Sequence, residues 1–222
     1  MLLALDTSTR TIGVALYDGV QVLSESVWNS KDYHTVELAP AVAETLSKSG
    51  VAIEDLQALV VATGPGSFTG LRIGLALAKG IALVRHLPLI GIPTLDVLAA
   101  AQSLDDAPLA AVLRAGRGRL AVGWYEANKN AWLPVSEIEI ITPEELAQRI
   151  QSPTHVCGEL DEEERRLLGR KRKNVILASP AQSLRRPAYL AELGWHRWQN
   201  EDVDDPATLA PFYLHYNDPI PE

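Results

Sequence analysis

Residues 2–28 read LLALDTSTRTIGVALYDGVQVLSESVW. Positions 2–5 are apolar throughout, 12–17 form a second such run, and 20–27 alternate, so three short strands follow one another. DTSTR joins the first two. The pair Asp18-Gly19, a strong hairpin signal, joins the last two. An antiparallel meander of three strands is expected to open the fold.

Working outward, the apolar positions Val36, Ala39, Val42, Ala43 and Leu46 step by three and four, and Gly50 follows as a natural stop. Residues 34–49 are therefore expected to form a helix. LQALVVATG at 56–64 reads as a buried strand, TGPGSFTGLRIGLALAKGIALV at 63–84 as a glycine-rich entry into a second helix, and LPLIGIPT at 87–94 as a further strand. A hairpin feeding a parallel crossover in the order βββαβαβ points to an α/β lobe with a mixed sheet.

The polar stretch QSLDDAP at 102–108 marks a lobe boundary, separating 1–104 from 105–222. Beyond it, strands are expected at 109–113, 120–126, 135–141, 154–159 and 174–178. Helices are expected at 142–150, 161–169 and 180–199. The first of these helices carries Thr142 as cap, Pro143 at its first position and Glu145 three residues after the cap. The second lobe thus echoes the first in element order, and the proline-rich tail should run extended over the surface.

The 222 residues, 47% hydrophobic and 22% charged, suit one compact domain or two small lobes. A net charge of −8 has the wrong sign for gripping phosphates, so strong direct nucleic-acid binding is not expected. The basic run RRLLGRKRKN at 165–174 follows the acidic Asp161 to Glu164 and reads as a solvated helix end. Cys157 stands alone, which excludes an internal disulfide and a multi-cysteine zinc site and suits the cytoplasm. MLLALDTSTR shows neither a basic leader nor a cleavage site. Residues 73–84 carry Lys79 and fall short of the roughly 20 that a membrane span needs, so no membrane role is expected.

Asp6 ends the first strand, with Ser8 and Thr9 in the turn after it. Backbone N–H groups and hydroxyls in such a turn can hold phosphate while the carboxylate holds hydrated magnesium. The alternative is a turn that satisfies its own backbone. Nucleases of the ribonuclease H type begin with the same aspartate but need further carboxylates on neighbouring strands, where this chain has Ala62, Thr63 and Gly64. An ATP-dependent phosphotransferase of the actin-like class would need a second phosphate loop, for which the second lobe offers only Arg114 at a strand end and Glu159 after Gly158. His34 and Glu37 are spaced to share a metal, yet His86, His155, His196 and His215 show no ligand spacing.

In GPGSFTGLRIGLALAKG, Gly64, Gly66 and Gly70 free the backbone and Ser67 or Thr69 can cap the helix, but no Lys-Ser/Thr pair completes a Walker loop. Gly66, Gly70, Gly74 and Ala78 recur every four residues, a strip along which another backbone can approach closely. Only Arg72 and Lys79 interrupt the apolar circumference, so the helix must be buried on two sides, against its own sheet and against either the first helix alone or that helix with a second chain.

LALDTSTRTIGVAL, HTVELAPAVAETL, GPGSFTGLRIGLALAKGIA and LIGIPTLDVLA, in this order, resemble the TsaB family, also called YeaZ; the match covers about the first 100 residues, and PFYL near the end resembles a family tail motif. The resemblance implies an actin-like ASKHA (ribonuclease H-like) α/β fold of two lobes, each a mixed sheet with flanking helices. It also implies a non-catalytic subunit of the machinery that makes threonylcarbamoyladenosine beside the tRNA anticodon, a degenerate relative of the catalytic TsaD. TsaD carries paired metal-binding histidines where IPTLDVLAAA has none, and no nucleophile-base pair supports the family's older glycoprotease label. The implied partners are TsaD, the ATPase TsaE, and a second copy of the chain when alone. Their surface would comprise His34, Leu38, Val42 and Leu46 on the first helix and Phe68, Gly70, Leu71, Gly74, Leu75 and Ala78 on the second. No cofactor is implied as required, with at most vestigial ATP, ADP or magnesium binding at Asp6, Ser8 and Thr9. The chain departs from the family pattern at Arg114, where an Asp-Ala-Arg run is usual, and at His215, where an arginine is usual.

Overall fold

The computed structural model describes residues 1–31, 34–171 and 173–214; His215 lies outside them. The opening meander forms as read, with β1 (Leu2–Asp6), β2 (Thr11–Tyr17) and β3 (Val22–Asn29) antiparallel. Then come α1 (His34–Lys48), β4 (Ala58–Gly64), α2 (Phe68–Arg85), β5 (Leu89–Pro93) and α3 (Thr94–Ala100). The sheet order is β3-β2-β1-β4-β5, with β4 parallel to both β1 and β5. The apolar run of β1 is unbroken because both faces of the sheet are covered. Leu3 and Leu5 pack with Leu38, Val42 and Leu46 of α1 and Leu75, Ala78 and Ala82 of α2. Leu2 and Ala4 face the opposite way.

The second sheet is built from β6 (Leu109–Gly116), β7 (Arg119–Asn128), β8 (Ala131–Pro134), β10 (Thr154–Gly158) and β11 (Val175–Leu177), in the order β11-β10-β6-β7-β8, with β9 (Glu139–Ile141) pairing β7. On one face, α4 (Pro143–Arg149) and α5 (Glu162–Gly169) supply Leu146, Ala147 and Leu168 to a core with Val112, Val122 and Val156. The α4 cap is the expected box: Thr142 Oγ1 accepts from the Glu145 N–H at 3.2 Å and Glu145 accepts from the Thr142 N–H at 2.7 Å. On the other face, α3 contributes Leu95, Leu98 and Ala99, while its Val97 packs in the first lobe, so this short helix belongs to both cores. Tyr125 donates to Asp96 of α3 at 2.7 Å, and burial pushes that carboxyl above its ordinary range.

Three expectations need correction. The strand expected at 135–141 begins only at Glu139, with Val135 exposed, and β8 has no counterpart among the expected strands. On α1 the buried stripe is Leu38, Val42, Thr45 and Leu46, whereas Val36, Ala39 and Ala43 face outward. The last helix, α6 (Pro187–Gln199), starts seven residues later than expected and packs on the first sheet, where Leu190 and Ala191 meet Leu2, Ala4, Val60 and Ile90. The fit there is close. A Cβ on Gly194 would stand 2.2 Å from Val60 Cγ2. The following segment stays with the same lobe, as Asp204 bridges Leu89 and the Phe212 N–H reaches the Thr63 carbonyl at 2.7 Å.

Candidate functional site

β1 carries Asp6 to the edge of the first sheet facing the second lobe, and the turn at 7–10 is pinned from several sides. Asp6 Oδ1 accepts the Ser8 N–H at 2.8 Å, the self-satisfied turn considered above. Ser8 Oγ lies 2.9 Å from Thr94 Oγ1 at the start of α3, and Thr7 Oγ1 donates to the Gly70 carbonyl at 2.7 Å. The Ser67 N–H donates to the Ser8 carbonyl at 2.6 Å, and Ser67 caps α2 by accepting from Gly70.

These contacts assign the small-residue strip of α2. A Cβ on Gly66 would lie 2.2 Å from the Ser8 carbonyl oxygen, one on Gly70 2.2 Å from that of Thr7, and one on Gly74 2.2 Å from Thr7 Oγ1. The strip admits the chain's own β1–β2 turn. This corrects the expected docking residues: His34, Leu38, Val42, Leu46, Gly70, Leu71, Gly74, Leu75 and Ala78 are all buried within the chain. Phe68 alone of that set is exposed, at 54%. Even Phe68 is partly covered, because Tyr213 lies with its ring centroid 4.9 Å away and Arg72 stacks over the Phe68 ring at 3.6 Å while donating to Tyr213 at 2.8 Å. What α1 and α2 present outward is another set: Val36 at 65% exposure with Ala39, Pro40 and Ala43, and Ala76, Gly80, Leu83 at 73% and Val84 at 77%.

The second lobe approaches Asp6 through the loop after β10. Gly158 has φ +123° and a Cβ there would strike the Val112 carbonyl oxygen at 2.0 Å, so only glycine lets the loop turn and present Glu159. Between the lobes sits Arg185, a residue the sequence reading did not single out. Its Nε donates to Asp6 Oδ2, its Nη1 to Glu159 Oε1 at 2.9 Å, and its Nη2 to Thr9 Oγ1 at 2.9 Å and the Thr11 carbonyl at 3.3 Å. Thr9 Oγ1 in turn donates to Glu159 at 2.6 Å. Burial opposes the charge on Arg185, but the Asp6 and Glu159 carboxylates outweigh it and hold the guanidinium above the usual arginine range. The one signal for such a partner was Asp6 itself, a strand-end carboxylate whose burial demands a counter-charge. Nothing in SLRRP favours Arg185 over Arg186, which instead pairs with Glu25 at the surface.

Arg114 bonds Asp161 at 2.9 Å beside the start of α5. His34 Nε2 lies 2.9 Å from the Thr9 carbonyl while Glu37 accepts from Trp28 at 2.9 Å, so the two do not converge. Among the described residues no group of three or more metal-ligating side chains occurs. A cleft of about 1080 Å³ opens between the lobes, walled by Thr9, Arg10, Ser67, Arg114 and the Tyr213 segment. No helix among the described residues is long and apolar enough to cross a membrane.

Two mixed sheets facing one another across a cleft at a strand-end aspartate define an actin-like, two-lobed α/β protein. YeaZ from Pseudomonas aeruginosa superposes with a TM-score of 0.78 over 96% of this chain and 99% of its own at 24% identity, and the ROK hexokinase of Thermus thermophilus with 0.51 over 90% and 99% at 11%. A family model described as TsaD, tRNA N6-adenosine threonylcarbamoyltransferase, matches residues 21–164. The tRNA threonylcarbamoyladenosine biosynthesis protein TsaB of Bacillus subtilis is 32% identical over 96% of this chain and 93% of its own length. The chain belongs to the TsaB family. Magnesium on Asp6 with a phosphate in the first turn, the ligand set that an actin-like fold invites, does not fit the residues present, because the Arg185 guanidinium already stands on Asp6 Oδ2 and Glu159 is turned to the same cation.

Proposed function

We propose that the chain takes part in tRNA threonylcarbamoyladenosine formation as a non-catalytic subunit that binds a TsaD-like catalytic partner through the outward face of α1 and α2. The observation that carries this reading is the outer line of α2, where Ala76, Gly80, Leu83 and Val84 lie in water beside the exposed Val36, Ala39, Pro40 and Ala43 of α1. Small and aliphatic side chains so arranged let a partner helix come close and leave water with little to hold. The names of the relatives and of the matching family model support the pathway and the partner. The commitment of Asp6 to Arg185 supports a subunit that needs neither nucleotide nor magnesium of its own and argues against the phosphotransferase reading. The same face would serve a homodimer when the catalytic subunit is absent, a TsaE-like ATPase would join the assembly, and the site of action would be cytoplasmic.

Size-exclusion chromatography with light scattering tests it, on the chain alone, with the TsaD-like subunit of the same organism, and with Gly80→Trp. Gly80 is exposed and a Cβ there meets nothing within 4 Å, so the variant should fold, which its circular dichroism spectrum checks. The native chain should form a one-to-one complex that the variant loses. A native chain that stays apart from the TsaD-like subunit, or a variant that binds it as well, would sink the proposal.

A further inference from the structure

Every group to which Arg185 donates is an oxygen: the Asp6 and Glu159 carboxylates, the Thr9 hydroxyl and the Thr11 carbonyl. That is a donor set suited to a hard divalent cation. Asp6, Thr9 and Thr11 belong to the first lobe, Glu159 to the second, and Arg185 to the segment that returns from the second lobe to α6. The guanidinium side chain is almost wholly withdrawn from water. We infer that Arg185 is a built-in cation: it occupies the place where this strand-end aspartate would otherwise hold a metal ion, and by bonding carboxylates of both lobes it sets the cleft at one opening with nothing bound.

Two consequences follow from charge alone. With Arg185 in place the site is closed to divalent cations. Without it, two carboxylates face each other across a space vacated by a large side chain, an arrangement that repels itself until a cation enters. The inference does not depend on the docking face, which lies on the outer side of α1 and α2 away from these residues.

The experiment compares the native full chain, Asp6→Asn, Arg185→Ala, Arg185→Lys and the double variant Asp6→Asn with Arg185→Ala, each in chelator and in millimolar Mn²⁺, by thermal unfolding and by electron paramagnetic resonance of bound Mn²⁺. The native chain should bind no Mn²⁺ and melt at one temperature in both solutions. Arg185→Ala should melt on the order of 10 °C lower in chelator, bind Mn²⁺ and recover most of the loss with it. Arg185→Lys should keep the charge and stay indifferent to Mn²⁺. The double variant should melt above Arg185→Ala in chelator because one of the opposed carboxylates is gone. Should Arg185→Ala fail to fold in either solution, a folded double variant still supports the inference and an unfolded one reduces Arg185 to a packing residue. The inference is overturned if Arg185→Ala folds but takes up no Mn²⁺, or if the native chain binds Mn²⁺ and loses it with Asp6→Asn.

Discussion

α2 carries two lines of small residues with opposite fates. Gly66, just before the helix, and Gly70 and Gly74 within it lie so close to the turn at 7–10 that no side chain fits, while Ala76 and Gly80, about a third of a turn away around the helix, face water. Spacing alone cannot tell these lines apart, since each recurs about every four residues on the same apolar helix. The difference teaches that a small-residue line marks close approach without naming what approaches. Here one line is filled by the chain's own backbone and the other is left open.

The sharpest way to break the comparison is to add one methyl group to each line in turn. Gly66→Ala and Gly70→Ala push a Cβ against backbone carbonyl oxygens of the turn, which cannot swing aside as a side chain can, and should cost about 3 kcal/mol or more in chemical denaturation. Equality with an exposed glycine substitution would mean that the strip is not in contact. Gly74→Ala meets Thr7 Oγ1, a branched side chain held by its bond to Gly70, and should cost about 2 kcal/mol. In a Thr7→Ala background the same change should cost about 1 kcal/mol less, a coupling that a double-mutant cycle reads directly. Strict additivity would place the strain elsewhere. The smallest effect has the opposite sign: at a dilution where the chain is monomeric, Gly80→Ala should stabilise it by about 0.8 kcal/mol, the ordinary gain of alanine over glycine on an exposed helix. A loss at Gly80 would show that the outer line is covered after all.

Much of this architecture was legible in sequence because it is local. The meander, α2 and the Thr142 cap each rest on patterns confined to a few turns of chain, and each formed as read. Asp6 stood out at its strand end as a vestigial phosphate or magnesium site, whereas the group it meets in the structure, Arg185, sits 179 residues away. No periodicity connects the two positions. The apolar face of α1 was misread because Val36, Ala39 and Ala43 satisfy a helical repeat as well as Leu38 and Leu46 do, and only the position of the sheet chooses between them. α6 was placed as a helix but with the wrong sheet, since an amphipathic stripe says nothing about which of two cores it will cover.

The return of α6 to the first sheet also bears on how the chain is made. β5, the last strand of that sheet, ends at Pro93, yet its second covering layer is complete only with Gln199. At about 5–20 residues per second the ribosome needs roughly 5–20 s to deliver the intervening segment. For that interval the nascent chain holds a one-sided sheet with Leu2, Ala4, Val60 and Ile90 uncovered. Newborn chains halted between these points should therefore be prime clients for a ribosome-associated chaperone, and release should come with the emergence of the last helix.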